Sequence, residues 1–155
     1  EDESTASVRT APNGIRLLSS VGEEIKSNAN LVSYGYLVAR TELLGNNELT
    51  FESEVKYVSR DAYNKNDGTE YHYSVGDGLI KIAAAIVGIP EEHVNDKFTI
   101  RTYADMGNET LYGNTVTTSL TKICKSYKDN QEAYNQLTDA QKELVDKYAA
   151  LYVAD

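Results

Sequence analysis

The sequence predicts an α+β fold: an antiparallel or mixed β-sheet, free to curve into a sandwich-like arrangement, followed by two C-terminal helices. Three observations carry that expectation. Apolar residues alternate at period two in segment after segment from Ile15 to Tyr112, the spacing of strands with two different faces. From Ser119 the spacing changes: Leu120, Ile123, Cys124 and Tyr127 fall at i, i+3, i+4 and i+7, one stripe of a helix. Strands therefore precede helices, which separates this chain from proteins built of alternating βα units. A length of 155 residues fits one domain with its own core. The single cysteine, Cys124, excludes an intramolecular disulfide and a cysteine-rich zinc module.

In chain order, the polar opening Glu1-Asp2-Glu3-Ser4-Thr5-Ala6-Ser7 reads as a disordered leader or linker over 1–13, and 14–155 as a single globular domain. Ile15, Leu17 and Val21 make a first strand closed by Gly22, and 23–30 is a short helix or a loop. Val32, Tyr34, Tyr36 and Val38 alternate as a second strand, in which Gly35 allows a bulge or a close neighbour. Thr41–Leu44 is one helical turn and Gly45-Asn46-Asn47 a turn. Leu49, Phe51, Val55 and Tyr57 then alternate with Thr50, Glu52, Glu54 and Lys56, a strand with one charged face. Asn64–Gly68 carries an Asp-Gly turn signal before a short strand at Tyr71, Tyr73 and Val75.

The longest near-continuous apolar run, Leu79–Pro90, is interrupted only by Lys81. Its β-branched residues and closing Gly88-Ile89-Pro90 favour a strand covered on both faces, the centre of the sheet. A proline-led turn follows at Glu91–Val94, then a strand over 97–104 with Phe98 and Ile100 inward and Arg101 and Tyr103 opposite. Met106-Gly107-Asn108 turns into a short strand at Leu111 and Tyr112. Thr138, with Gln141 three residues on, is a capping box, and the helix it starts carries a stripe of Leu144, Tyr148, Leu151 and Tyr152.

Charge narrows the function. With 15 basic and 24 acidic residues the net charge is -9, which opposes binding to a nucleic-acid backbone or an anionic membrane surface. No apolar run reaches the ~18 residues of a membrane-spanning helix. His72 and His93 form no pair at ligand spacing, so no metal or cofactor is expected. Asp61, Asn64, Asn66, Asp67 and Glu70 gather oxygen donors, but their spacing is not that of a calcium-binding EF-hand loop; turn geometry explains them better. Cys124 sits on the helical stripe and reads as core, and no Gly-x-Ser-x-Gly or phosphate-cradling loop occurs.

What remains is a set of 12 tyrosines with 2 Phe and no Trp. Tyr71, Tyr73, Arg101, Tyr103 and Tyr112 are the candidate ligand-binding residues, an exposed strip with rings to stack on a sugar or a peptide. They serve equally as half-buried strand residues covering a sheet face, and the lack of Trp favours that alternative.

Ile15-Arg16-Leu17-Leu18-Ser19-Ser20-Val21, Tyr34-Gly35-Tyr36-Leu37-Val38, Ile86-Val87-Gly88-Ile89-Pro90, Arg101-Thr102-Tyr103 and Tyr112-Gly113 together resemble an uncharacterised module. It recurs in large secreted and cell-surface proteins of Gram-positive gut anaerobes. The resemblance runs from Ile15 to the first C-terminal helix. It implies an extracellular, non-enzymatic interaction module, a monomer or part of a longer multidomain chain, whose partner is an extracellular glycan or protein. It carries no assigned catalytic residues. A carbohydrate-binding domain is the alternative, and a glycoside or peptide hydrolase a distant third.

Overall fold

A computed structural model describes residues 4–54, 56–76 and 79–154, the side chains of 4–5, 56–60 and 72–76 excepted. The α+β expectation holds. Among the described residues, ten strands and five α-helices occur in the order β1 (Ser4–Arg9), β2 (Gly14–Gly22), α1 (Glu23–Ser27), β3 (Ser33–Arg40), α2 (Thr41–Leu44), β4 (Lys56–Asn64), β5 (Thr69–Glu70), β6 (His72–Gly76), β7 (Leu79–Val87), β8 (Phe98–Asp105), β9 (Thr110–Tyr112), β10 (Val116–Thr118), α3 (Leu120–Asp129), α4 (Gln131–Asn135) and α5 (Asp139–Ala149). One 3-10 turn spans Glu91–His93. One sheet has strand order β1-β2-β7-β6; the other runs β10-β8-β3-β4-β5, with β9 paired to β8. The pairings of β3 with β4 and β8, β4 with β5, β6 with β7 and β8 with β9 are antiparallel. Among the described residues, no helix is long and apolar enough to cross a membrane.

The chain divides into two compact units where its length suggested one domain. The first is built mainly from Leu18–Ala84 and Phe98–Thr117, the second from Ala6–Leu17, Ala85–Lys97 and Thr118–Asp155.

β3 is the centre of the first unit. Ser33 to Ala39 are all buried, because β4 and β8 flank the strand and both its faces are covered. On one face Tyr34 stacks on its cross-strand neighbour Tyr63, with ring centroids 5.5 Å apart. On the same face the Tyr36 hydroxyl reaches the four-stranded sheet, 2.6 Å from the Ser19 hydroxyl and 3.1 Å from the Ile82 carbonyl oxygen. The carbonyl can only accept, so the phenol donates there and shares the shorter contact with a serine able to give or take a proton. Burial pushes the Tyr36 hydroxyl up to about 12, with the Ser19 hydrogen bond pulling the other way.

Two expectations are corrected here. The Leu79–Pro90 run does form a strand, and β7 is interior to its sheet, but only one of its faces is deeply buried. Ile80, Ile82 and Ile86 are buried, whereas Leu79, Lys81, Ala83 and Ala85 are half-buried and Val87 is exposed. Among the described residues, β3 is buried from Ser33 to Ala39 on both faces. The strand expected over 49–57 begins only at Lys56; residues 45–54 are turns and irregular backbone, with Ser53 N–H closing onto the Thr50 carbonyl. In addition, the expected leader contains β1, where Val8 is buried at 2% exposure.

In the second unit α3 packs on α5 through buried Leu120, Ile123, Cys124, Leu144, Val145 and Tyr148. Each helix has a side-chain cap: Ser119 accepts from Lys122 N–H and Asn130 from Ala133 N–H. Thr138 and Gln141 make the reciprocal capping box, at 3.2 and 2.9 Å. The Asn95 carboxamide accepts from the Thr121 hydroxyl and Val153 N–H and donates to the Leu151 carbonyl, fixing the chain beyond α5. Burial pushes the Cys124 thiol up to about 12, so it stays protonated and inert at neutral pH.

Thr138→Ala removes one half of the capping box and should cost about 1 kcal/mol in a urea melt, while Thr138→Ser costs little.

Tyr36 makes stability depend on alkali. An unfolded tyrosine ionises near 10, whereas the folded Tyr36 holds its proton to about 12. Across that window the unfolded chain binds fewer protons, so the contribution is complete below pH ~10 and lost as pH rises through ~12. Tyr36→Phe should lose about 1–3 kcal/mol at neutral pH, since it strips a partner from buried groups. Its urea midpoint should then fall less steeply than wild type between pH ~10 and ~12.

Candidate functional site

The outer face of β3 carries the most chemistry in the first unit, and the sheet register explains why. Tyr103 of β8, Gly35 of β3 and Asp61 of β4 lie in one row across three strands. Gly35 has no side chain to fill the row. The Tyr103 phenol therefore crosses the central strand and donates to the Asp61 carboxylate. A bulge between Tyr34 and Gly35 shifts β4 by one residue and sets Asp61 in that place. Asn64 Nδ2 donates to the second Asp61 oxygen at 3.0 Å.

Arg101 lies two residues before Tyr103 on the same face, and Tyr112 of β9 is the cross-strand neighbour of Tyr103. The Arg101 guanidinium sits 4.4 Å from the Tyr112 ring centroid, a cation–π arrangement. Its Nε donates to the Gly113 carbonyl at 2.9 Å, and one Nη1 reaches the Leu49 carbonyl at 3.0 Å and the Glu48 carboxylate at 3.1 Å. The Tyr112 hydroxyl accepts the Phe51 N–H at 2.9 Å. Phe51 meets the Tyr103 ring edge-on, centroids 4.7 Å apart. Leu37, Ala39, Leu44, Leu49 and Tyr103 form the buried cluster beneath, with Phe51 and Tyr112 packed against it.

Of the five candidate ligand-binding residues, Arg101, Tyr103 and Tyr112 thus come together, but under cover. Tyr103 is 3% exposed, and the Arg101 side chain is 14% exposed. Tyr71 stands apart, following β5, with its N–H donating to the Ala62 carbonyl of β4 at 2.5 Å and the residue 62% exposed. The side chain of Tyr73 lies outside the described residues, as does that of His72.

Glu48, Leu49, Phe51 and Asp61 complete this face; the sequence pattern reads Leu49 and Phe51 as strand residues and Asp61 as a loop oxygen donor, and gives Glu48 no role at this site. Leu49 and Phe51 insert alternate side chains into the sheet, so their period-two spacing imitates a strand. Gly35 beside β-branched and aromatic residues is the signal that a side chain crosses there.

Near Tyr71, Glu70 is held by Lys26 at 2.5 Å, and the Lys26 ammonium lies 5.9 Å from the Tyr63 ring centroid. Burial, then the Glu70 and Tyr63 charges, raise the Tyr34 hydroxyl well above its ordinary value. Of the oxygen donors between Asp61 and Glu70, Asp61 accepts from Tyr103 and Glu70 pairs with Lys26, outside the segment, while two others close the turn between β4 and β5. Asn64 Oδ1 accepts Asn66 N–H, and Asp67 Oδ1 accepts Thr69 N–H. The Thr69 hydrogen bonds hold the Asp67 carboxyl below its ordinary range. Among the described residues, no three His, Cys, Asp or Glu side chains group to hold a metal ion.

No family model, curated protein or solved structure matches this chain.

The two roles of Arg101 separate by mutation. Arg101→Lys keeps the charge but loses the planar fork that reaches the Gly113 and Leu49 carbonyls, and should cost about 1–3 kcal/mol in a urea melt. Glu48 is 70% exposed, so Glu48→Gln should change stability by less than about 1 kcal/mol.

Proposed function

We propose that this chain is a non-enzymatic interaction module of a secreted or cell-surface bacterial protein. Its partner is an extracellular glycan or protein. The observation that carries this reading is Tyr71. The residue is 62% exposed while its backbone is pinned to β4, so a large amphipathic side chain is presented in a fixed position. Such a ring gives contact area at a small entropy cost, since only two side-chain torsions need fixing.

The fate of the other candidates supports the same reading. Arg101, Tyr103 and Tyr112 each have hydrogen-bonding partners within the fold, which gives them structural work in place of chemistry. The net charge of -9 favours neutral or cationic partners over polyanions.

Probing glycan and peptide arrays with the isolated protein tests the proposal. A ligand class should be captured, and Tyr71→Ala should weaken it about two- to tenfold, the worth of one aromatic contact, with an unchanged melting temperature. Empty arrays, or a Tyr71→Ala variant binding as wild type does, would overturn the reading.

A further inference from the structure

Asn13 and Gly14 are the one Asn-Gly pair in the chain, and they join the turn at 10–13 to the first residue of β2. Packing dictates the glycine, because a Cβ at Gly14 would overlap the Ile86 carbonyl oxygen of β7. A glycine also leaves its own backbone nitrogen unshielded by a side chain. Asn13 is exposed and, among the described residues, its carboxamide has no hydrogen-bond partner. Asn28, Asn64, Asn95 and Asn130 differ, since each has a carboxamide oxygen that accepts a hydrogen bond. The Asp67-Gly68 pair is locked as well. Gly68 N–H donates to the Asn64 carbonyl at 3.0 Å, and Asp67 Oδ1 accepts Thr69 N–H at 2.9 Å. Gly14 opens its strand, and strand ends open at a small fraction of the global unfolding free energy.

We propose that Asn13 is a site of spontaneous covalent modification, in which the Gly14 backbone nitrogen attacks the Asn13 carboxamide carbon. The new bond joins the Gly14 nitrogen to Cγ, and the bond from Cγ to Nδ2 breaks. The proton lost from the Gly14 nitrogen is balanced by one gained on Nδ2, which leaves as ammonia. The resulting succinimide is opened by water at either carbonyl, giving aspartate or isoaspartate at position 13. Both products add one negative charge. Isoaspartate also inserts a methylene into the main chain directly ahead of Gly14, beside the carbonyl of Ile86 that excludes an added carbon there. It therefore disturbs the start of β2 against β7, whereas aspartate leaves the backbone as it was. The reaction needs no ligand, so it stands whether or not Tyr71 binds one.

Ageing the folded protein in mildly alkaline buffer tests the site. Samples are digested with trypsin over successive weeks, and the fragment Thr10–Arg16 is followed by liquid chromatography and mass spectrometry. That fragment should lose its amide before any other asparagine-containing fragment does. It should split into two forms of equal mass, one of them a substrate for protein isoaspartyl methyltransferase. Asn13→Gln should stay unmodified over the same period, because its longer side chain closes the ring far more slowly. The variant Asn13→Asp should melt with fresh wild type, and the aged isoaspartyl fraction below both. A synthetic peptide of the Thr10–Arg16 sequence supplies the reference rate. Should the folded protein keep the amide while that peptide loses it, the fold protects the pair and the proposal fails. Earlier loss at Asn46, Asn66 or another exposed asparagine overturns it too. An isoaspartyl fraction that melts with Asn13→Asp overturns the effect on β2.

Discussion

A strand with no wet face constrains everything around it, and in the first unit that strand is β3. Each polar atom its side chains bring inside must find a partner or cost a few kcal/mol. Tyr36 meets the condition across the sheets, with its hydroxyl on the Ile82 carbonyl and beside Ser19. A backbone carbonyl has a second lone pair to offer beyond its ladder bond, so this link needs no break in β7. It also fixes where the two sheets face each other in that unit. A phenol must end on that carbonyl, whereas an apolar side chain would tolerate sliding. Burial of the phenol holds its proton, which keeps it a donor throughout the neutral range.

The other face of β3 is solved by different means. α+β folds commonly close a sheet face with a helix, which brings its backbone hydrogen bonds with it. Here the cover over Leu37 and Ala39 is α2 and an irregular segment, whose backbone groups must be satisfied from outside. Arg101 and Tyr112 do that from β8 and β9. This explains an arginine on a mostly apolar face: a guanidinium is the side chain that can donate to the Gly113 and Leu49 carbonyls and to Glu48 from one planar group. The exposed Glu48 is the least of these partners, and the carbonyls are the reason the cation is there.

Legibility from sequence followed how local the cause was. The capping box at Thr138 and Gln141 and the helical stripe from Leu120 are complete within a few residues, and both stand where the pattern put them. Gly35 foretold a bulge or a close neighbour, and the fold has both. The interior place of β7 in its sheet was legible, but its second covered face was not, and β3 was passed over because hydropathy ranks Ile80, Ile82 and Ile86 above Tyr34 and Tyr36. A tyrosine is nonetheless as buried as an isoleucine once its hydroxyl has a partner. Residues 49–54 passed for a strand because period two is shared by strands and by any extended segment that inserts alternate side chains. Val8 was lost in a polar opening, since a strand at the edge of a sheet buries too few residues to show a pattern.

The tyrosine-rich, Trp-free composition has a structural account in the same terms. Tyr36 ends on Ile82, Tyr103 on Asp61, Tyr112 on the Phe51 N–H, and Tyr134 on Asp146. Each ring fills space while its hydroxyl ties one segment to another, a cross-link that phenylalanine cannot make and that an indole, being donor only, makes in fewer ways. Residue type therefore does not separate a binding surface from a packed face: arginine beside stacked tyrosines is suited to both. Exposure separates them. Tyr103 and Tyr71 are the same residue with opposite surroundings. The difference follows from position, one lying opposite a glycine in the middle of three strands, the other just past the short edge strand β5. Just past β5, Tyr71 stays 62% exposed even with its N–H bonded to the Ala62 carbonyl of β4.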